Sequence, residues 1–394
     1  MKKIYMDYAA TSPMDKRVFA AMKPYFSKKL GNASSLHSFG QEAKKAMDSS
    51  RDMIAKFLGA EAKEIIFTSG GTESNNFAFK GIAFASKKKH IVTTKIEHSC
   101  IMNLCKWLET QGFDVTYLPV DSHGLVDPEN VRKAIRKDTA LVSVMAANNE
   151  IGTIEPINEI GKICRERGVL FHTDAVQAFG SIKIDIKNVD LLTASAHKLY
   201  GPKGVGLLYV RRGVKLTPLI HGGGQEFGLR GSTENVPGIV GFAKAVEIAK
   251  KEMIKEARRL SAMRNKLIKN TLKIENSCLN GHPKKRLPNN AHFAFKFIEG
   301  EALIMMLDEK GVSASTGSAC SSKSLEPSHV LLAIGLKHEE AHGSLRLTLG
   351  RHSKNSDVKY VSKILPSIVK DLRKMSPFKE NYDFFPTKGF EEDH

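Results

Sequence analysis

The chain has 394 residues, 41% of them hydrophobic, with 60 Lys+Arg against 42 Asp+Glu and a formal net charge of +18. This composition excludes the disordered and fibrous classes, and the length suits one large domain or two to three ordinary ones. No apolar run approaches the ~18 residues of a membrane helix, and the charge excess leaves a nucleic-acid or membrane-surface binder, or a soluble enzyme with a basic face, as its readings.

In chain order, Lys2-Lys3 is followed by Asp7 before any apolar region forms, so no secretory signal is read and a cytoplasmic place is expected. Strand-like and helix-like segments alternate from about residue 64 to 210. Glu64–Thr68 is a short β-rich run ending in Ser69-Gly70-Gly71, and a helix follows. His90–Thr94 is a strand, then comes a helix containing Trp107, then a strand over Asp114–Leu118. Asp127-Pro128 gives an N-cap and a first-turn proline for a helix over Glu129–Ile135. Ala140–Val144 reads as a buried strand. A helix from Pro156 ends near Gly168, and Val169–His172 is the next strand. This order argues for an α/β fold with a mostly parallel sheet and helices on both faces. After residue 212 a glycine-rich loop precedes a long helix over Val236–Lys269. Lys273–Pro288 reads as a polar link and Ala291–Phe297 as a strand. Two helices and a strand then lead to a last helix near 356–374, and together these suggest a smaller α+β domain. The tail Ser376–His394 stays unassigned.

Three loops carry chemistry. In Thr68-Ser-Gly-Gly-Thr-Glu-Ser-Asn-Asn76, glycines at a strand-to-helix turn expose backbone N–H groups where the helix dipole favours an anion. A plain capped turn would read the same way. The segment is neither a Walker A loop nor a GxGxxG fingerprint. In Phe171–Gln177, Asp174 follows a buried strand, where a carboxylate needs a partner. A protonated pyridine nitrogen is one such partner, and a helix N-cap is the bland alternative. In Ser195–Gly204, Lys198 stands between Ser-x-His and a Gly-Pro turn, at the sheet edge where open α/β sheets bind ligands. A lysine there can form a Schiff base with an aldehyde cofactor, with Ser195 and His197 on its phosphate. A phosphate turn, then an aspartate, then a lysine 24 residues later resembles the layout of pyridoxal-phosphate enzymes of the aspartate-aminotransferase fold (fold type I).

Over nearly its whole length the sequence resembles the class V, NifS/IscS-like cysteine desulfurases. The resemblance is carried by Asp7–Thr11, Gly31–Ser35 with His37–Gly40, TSGGTESNN at 68–76, Glu97-His98, Asn148–Thr153, HTDAVQ at 172–177 and SAHKLYGPKG at 195–204. It continues with Arg230–Asn235, Thr316–Ser322, Leu325–Ser328 and Ser344–Arg346. It implies a large cofactor domain over 13–255 and a small domain of 1–12 and 256–394 that carries a catalytic cysteine loop. Lys198 would hold pyridoxal 5'-phosphate and later move the substrate's Cα proton. Asp174 would pair the pyridine nitrogen, Gln177 the ring oxygen, and His98 would stack on the ring and assist proton transfer. Gly71, Thr72, Ser195 and His197 would hold the phosphate, with Thr233 reaching it from the second subunit of a homodimer. Asn149, beside the cofactor, and Arg346 would receive the carboxylate of L-cysteine. Cys320, amid glycine and small polar residues, would take the sulfur as a persulfide and release L-alanine. For Cys100, Cys105, Cys164 and Cys278 the plain reading of small buried hydrophobes is kept.

The implied function is sulfur donation to iron–sulfur scaffolds or other acceptor proteins, tRNA-modification enzymes among them. A selenocysteine lyase or class V aminotransferase is the alternative within enzymes, and a basic tRNA- or scaffold-binding protein with a vestigial site the alternative outside them. Lys87-Lys88-Lys89 and Lys284-Lys285-Arg286 read as solvated faces that could also steer acidic partners. Lys323, Ala33, Ser12, Gly71, His352 and Ser353 depart from the family pattern. Gly71 is expected to leave a backbone-mediated phosphate site intact, and the others to touch no residue assigned to chemistry.

Overall fold

All five residues of His90–Thr94 are buried, as both faces of a strand inside a sheet must be. In the computed structural model of the chain, which describes residues 3–317 and 327–376, this strand lies within a central sheet. The elements run β1 (Ile4–Tyr5), α1 (Lys16–Met22), α2 (Ser38–Leu58), β2 (Ile65–Thr68), α3 (Gly71–Ala85), β3 (His90–Thr94), α4 (Ser99–Thr110) and β4 (Asp114–Leu118). Next come α5 (Pro128–Ala134), β5 (Thr139–Ser143), α6 (Ile157–Glu166), β6 (Leu170–Asp174), β7 (Leu191–Ser195), β8 (Gly206–Val210) and α7 (Val236–Thr271). The last are β9 (Ser277–Asn280), β10 (Asn290–Phe295), α8 (Gly300–Glu309), β11 (Val312–Ser313), α9 (His329–Ala333), α10 (His338–His342), β12 (Ser344–Thr348) and α11 (Asn355–Met375).

Among the described residues the central sheet has seven strands in the order β2-β8-β7-β6-β5-β3-β4, and only β8 runs antiparallel to its neighbours. The mostly parallel α/β fold read from the sequence is therefore what forms. Asp174 of β6 lies beside Thr193 of β7, so these strands deliver their C-terminal loops side by side. One sheet face is covered by α2, α6 and α7 through Ile54, Ile160 and Phe242, packed with Phe171 and Leu192. The other is covered by α3 and α4 through Phe77, Phe79 and Leu104. Fully burying a phenylalanine such as Phe77 or Phe79 stabilises by about 1.5–3 kcal/mol. Asp127 caps α5 by accepting from Glu129 N, with Pro128 in the first turn as expected. Gly168 takes φ +65 just beyond α6, the backbone a closing glycine supplies.

A second core joins Ile4 and Met6 to side chains between Leu260 and Leu372. It lies under the antiparallel sheet β12-β10-β9 and the parallel pair β1-β11. The 36-residue α7 links the two cores, with Phe242 and Val246 in one and Leu260, Met263 and Leu267 in the other.

Four readings need correction. The polar link over 273–288 contains β9, an edge strand that exists through pairing with β10. Among the described residues three helices and two strands, rather than two and one, separate β10 from α11, and β11, two residues long, forms only against β1. Arg286 is no part of an exposed basic face. It is 3% exposed, donates to the carbonyls of Ile151, Asn280 and Asn290, and burial, with Arg264 nearby, pushes its pKa down to about 9. Ser12 does touch a site residue, donating from Oγ to the carbonyl of His197 at 2.7 Å. The tail beyond Ser376 lies outside the described residues.

Candidate active site

The loops at the carboxyl edge of the sheet gather most of the residues singled out above. β2 stops at Thr68 and α3 starts at Gly71 without a side-chain cap, so the first N–H groups of a 15-residue helix are open to an anion. Thr68 Oγ1 and Ser74 Oγ lie 2.6 Å apart and brace this turn. Gly71 has no room for more: a Cβ there would sit 2.9 Å from Val176 Cγ2 and 3.9 Å from Ser195 Cβ. That contact places Ser195, the last residue of β7, against the turn. Thr72 is exposed in the first turn of α3.

Asp174 ends β6 and is held by both oxygens. Oδ1 accepts from Val176 N at 2.9 Å and Oδ2 from Asn75 Nδ2 at 2.7 Å. Two residues earlier on the same strand, His172 is fully buried between Ser143 Oγ (2.8 Å) and Thr193 Oγ1 (3.0 Å). Burial pushes its pKa down to about 3, so the ring is a neutral brace.

His98 caps α4, its Nδ1 accepting from Cys100 N at 3.2 Å, which leaves the neutral ring's proton on Nε2. Burial lowers its pKa, Asp174 opposes that shift and Lys198 adds to it, so Asp174 and Lys198 both act on His98. Lys198 closes a one-turn 3-10 helix after β7, and its Nζ donates to the carbonyls of Ala9 (2.5 Å) and Ala10 (2.8 Å). Gln177 Nε2 donates to the same Ala9 carbonyl at 2.9 Å. His197 Nδ1 lies 3.1 Å from Thr11 Oγ1, and burial, then Lys198 and Lys203, push its pKa down to about 4.

Arg346, in β12, is 2% exposed. It donates from Nη1 to the carbonyl of Asn149 (2.9 Å) and from Nη2 to Asp7 Oδ1 (2.9 Å). Asn149 Oδ1 and Arg346 Nε are buried and have no hydrogen-bond partner among the described residues. Such atoms cost about 1–3 kcal/mol each unless a ligand completes them. Together with the open helix N–H groups, the fixed Asp174 carboxylate and the amine of Lys198, they make this donor and acceptor set fit pyridoxal phosphate and an amino-acid carboxylate.

One expected member is not joined to this set. Thr233 is exposed, and among the described residues no hydrogen bond links it to Gly71, Thr72, Ser195 or His197. Cys320 and Lys323 lie outside the described residues. Of the other cysteines, Cys105 and Cys164 are buried, whereas Cys100 and Cys278 are only partly so. Cys100 accepts from Asn75 Nδ2 at 3.3 Å, and burial, with Asp174 next, pushes its thiol up to about 12. Asn75, Asp7 and the carbonyls of Ala9 and Ala10 had no role in the sequence reading, although each sits inside a motif quoted for the resemblance.

Comparison with known proteins gives one consistent picture. Residues 4–361 match the family model described as Aminotransferase class-V. A protein named cysteine desulfurase IscS from Dictyoglomus turgidum is 54% identical over 386 residues, 97% of this chain and 98% of that one. A protein of the same name from Methanosarcina thermophila is 55% identical over 380 residues, 95% and 94% of the two chains. Among solved structures, a NifS-like protein superposes with a TM-score of 0.88 at 40% identity, covering 94% of this chain and all of that one. SspA in complex with cysteine does so with a TM-score of 0.79 at 40% identity, over 88% and 98%.

Proposed function

The chain belongs to the class V aminotransferase family and, within it, to the cysteine desulfurases, and on that premise we propose that Lys198, His98 and Cys320 carry the removal of sulfur from L-cysteine. The observation that carries this assignment is the gathering, at the carboxyl edge of the sheet, of the Asp174 carboxylate held by Asn75, the Lys198 amine, and the buried Asn149 Oδ1 and Arg346 Nε left without a partner among the described residues. Pyridoxal phosphate, when bound, supplies the electron sink that lets bonds at the substrate's Cα and Cβ break. Gly71, Thr72, Ser195 and His197 would hold its phosphate, Asp174 a proton on its pyridine nitrogen, Gln177 its ring oxygen, and His98 and Asn149 its ring. His197, neutral by burial, donates or accepts a hydrogen bond without adding a second charge.

Asn149 and Arg346 orient the substrate by its carboxylate. Lys198 Nζ would take the Cα proton, and the neutral His98 ring would accept and return a proton. The Cys320 thiolate forms an S–S bond to the substrate sulfur as the C–S bond breaks. The electron pair of that bond takes up a proton at Cβ, so L-alanine leaves and the persulfide stays on Cys320.

The large domain over 13–255 would then bind the cofactor, and 1–12 with 256–394 would carry the thiol. Exposed Phe26, Leu30, Leu36 and Phe39 favour a homodimer that covers them and brings the partner copy's Thr233 to the phosphate. Exposed Lys87, Lys89, Lys284 and Lys285 favour an acidic sulfur acceptor, such as an iron–sulfur scaffold or a tRNA-modification enzyme. No described helix is long and apolar enough to cross a membrane, in keeping with a cytoplasmic place.

Alanine and sulfide release from L-cysteine tests the reading. Cys320→Ser should abolish turnover while keeping the visible absorbance of bound cofactor, and Lys198→Ala should lose that absorbance. Full turnover in Cys320→Ser, or an unchanged spectrum in Lys198→Ala, refutes the assignment. Faster turnover of selenocysteine, or transfer of the amino group to a keto acid, would identify a lyase or an aminotransferase instead.

A further inference from the structure

The segment Asp7–Ser12 is a strap across four site residues. Asp7 Oδ1 accepts from Arg346 Nη2 at 2.9 Å. The carbonyls of Ala9 and Ala10 accept from Lys198 Nζ, and that of Ala9 also accepts from Gln177. Thr11 Oγ1 meets His197 Nδ1 at 3.1 Å, and Ser12 donates to the His197 carbonyl. Asp7 is itself held fast. It bridges to Thr348, and its carbonyl accepts from Tyr5 Oη at 2.9 Å and from Ala10 N at 3.1 Å.

Arg346 lies buried in β12 opposite His292 of β10 and bridges to Ser315. His292 offers it no negative charge, and burial keeps that ring neutral. The side chain's one ion pair among the described residues is with Asp7. A guanidinium is planar, so fixing Nη1 on the Asn149 carbonyl and Nη2 on Asp7 also fixes the direction of Nε–H. That Nε is buried and has no partner among the described residues.

We propose that Asp7 is a positioning residue for the substrate carboxylate: it locks the Arg346 guanidinium so that Nε–H, which has no partner among the described residues, meets the carboxylate in a single orientation. The inference rests on the reading of Arg346 as the carboxylate-binding residue. Asp7 touches neither substrate nor cofactor and acts through Arg346. Through four intervening residues the same strap seats Lys198 and His197, so the carboxylate anchor and the amine share one support.

The test compares two amine ligands on the cofactor-loaded protein, read from the visible absorbance of the cofactor rather than from turnover. L-alanine carries a carboxylate; cysteamine carries an amine and a thiol and none. Asp7→Asn should weaken L-alanine about tenfold and leave cysteamine within about twofold, and the KM for L-cysteine should rise more than kcat falls. Asp7→Glu, which keeps the charge but adds a methylene, should show the same selective loss, and it serves if Asp7→Asn does not fold. On an Arg346→Lys background, Asp7→Asn should add less than twofold. Equal weakening of both ligands, no weakening of either, or a full tenfold effect on that background overturns the proposal. Wild-type protein whose spectrum answers to neither ligand would overturn the cofactor reading, and this inference with it.

Discussion

Replacing Glu97 by Gln should make the protein more stable at neutral pH, and the size of the gain follows from burial. The carboxyl is completely enclosed. Its Oε1 accepts from Met145 N at 2.9 Å and from Thr94 Oγ1 at 3.0 Å, while Oε2 has no partner among the described residues. Burial chiefly, with the Asp174 charge adding, pushes its pKa from 4.5 up to about 8 against those two donors. The unfolded carboxyl releases its proton near 4.5 and the folded one near 8. Between those values the folded chain holds a proton that the unfolded chain has lost, so stability falls as pH rises through the window. The contribution is complete below 4.5 and gone above about 8. One pH unit is worth about 1.4 kcal/mol, so the loss by pH 7 is on the order of 3 kcal/mol and by pH 8 on the order of 4 kcal/mol. Glutamine keeps the shape and cannot ionise. Urea unfolding of both proteins, followed by far-ultraviolet circular dichroism from pH 5 to 8.5, should show their stability difference growing with pH in favour of Glu97→Gln. Groups common to both proteins cancel in that difference. A gap that does not change with pH, or a wild type that gains on the variant as pH rises, refutes a protonated buried carboxyl beneath His98.

Three further outcomes follow from other parts of the molecule. Glu226 takes both arms of buried Arg51 at 2.7 Å and also accepts from Phe67 N, so Glu226→Ala should cost about 3–5 kcal/mol. Arg51→Met with Glu226→Met should cost less than that single change when midpoints of urea unfolding are compared, and simple additivity would sink the argument. In Gly350→Ala, a Cβ placed 2.2 Å from Tyr8 ring atoms should destabilise by about 1–3 kcal/mol, and a melting temperature equal to wild type would contradict the packing. His172, His197 and His292 are pushed down by burial to about 3, 4 and 3. The stability they give above pH 6.5 should therefore drain away as pH falls toward 3, and His172→Gln should flatten the acid limb of the stability profile. A stability difference between wild type and His172→Gln that does not change between pH 6.5 and 4 would contradict this.

The sequence by itself determined the strand–helix alternation, the phosphate turn at 68–76, and the placing of Asp174 and Lys198 at strand ends. Each of these is written in a few consecutive residues: a buried run, a glycine turn, a polar residue where the run stops. The departure at Ser12 is legible in the sequence, though its bond to His197 is not. Other features needed the folded chain. β9 has four residues and β11 two, too few for a period to show, and both exist through their partners β10 and β1. Arg286 looked like one more surface cation beside Lys284 and Lys285, yet carbonyls from three separate places close around it. Asp7 meets Arg346 across 339 residues and Asn75 meets Asp174 across 99. Local pattern settles which residues stop a strand or open a helix, because backbone geometry and burial act over a few residues. Which side chain neutralises a buried charge is settled only when distant segments pack and water is gone.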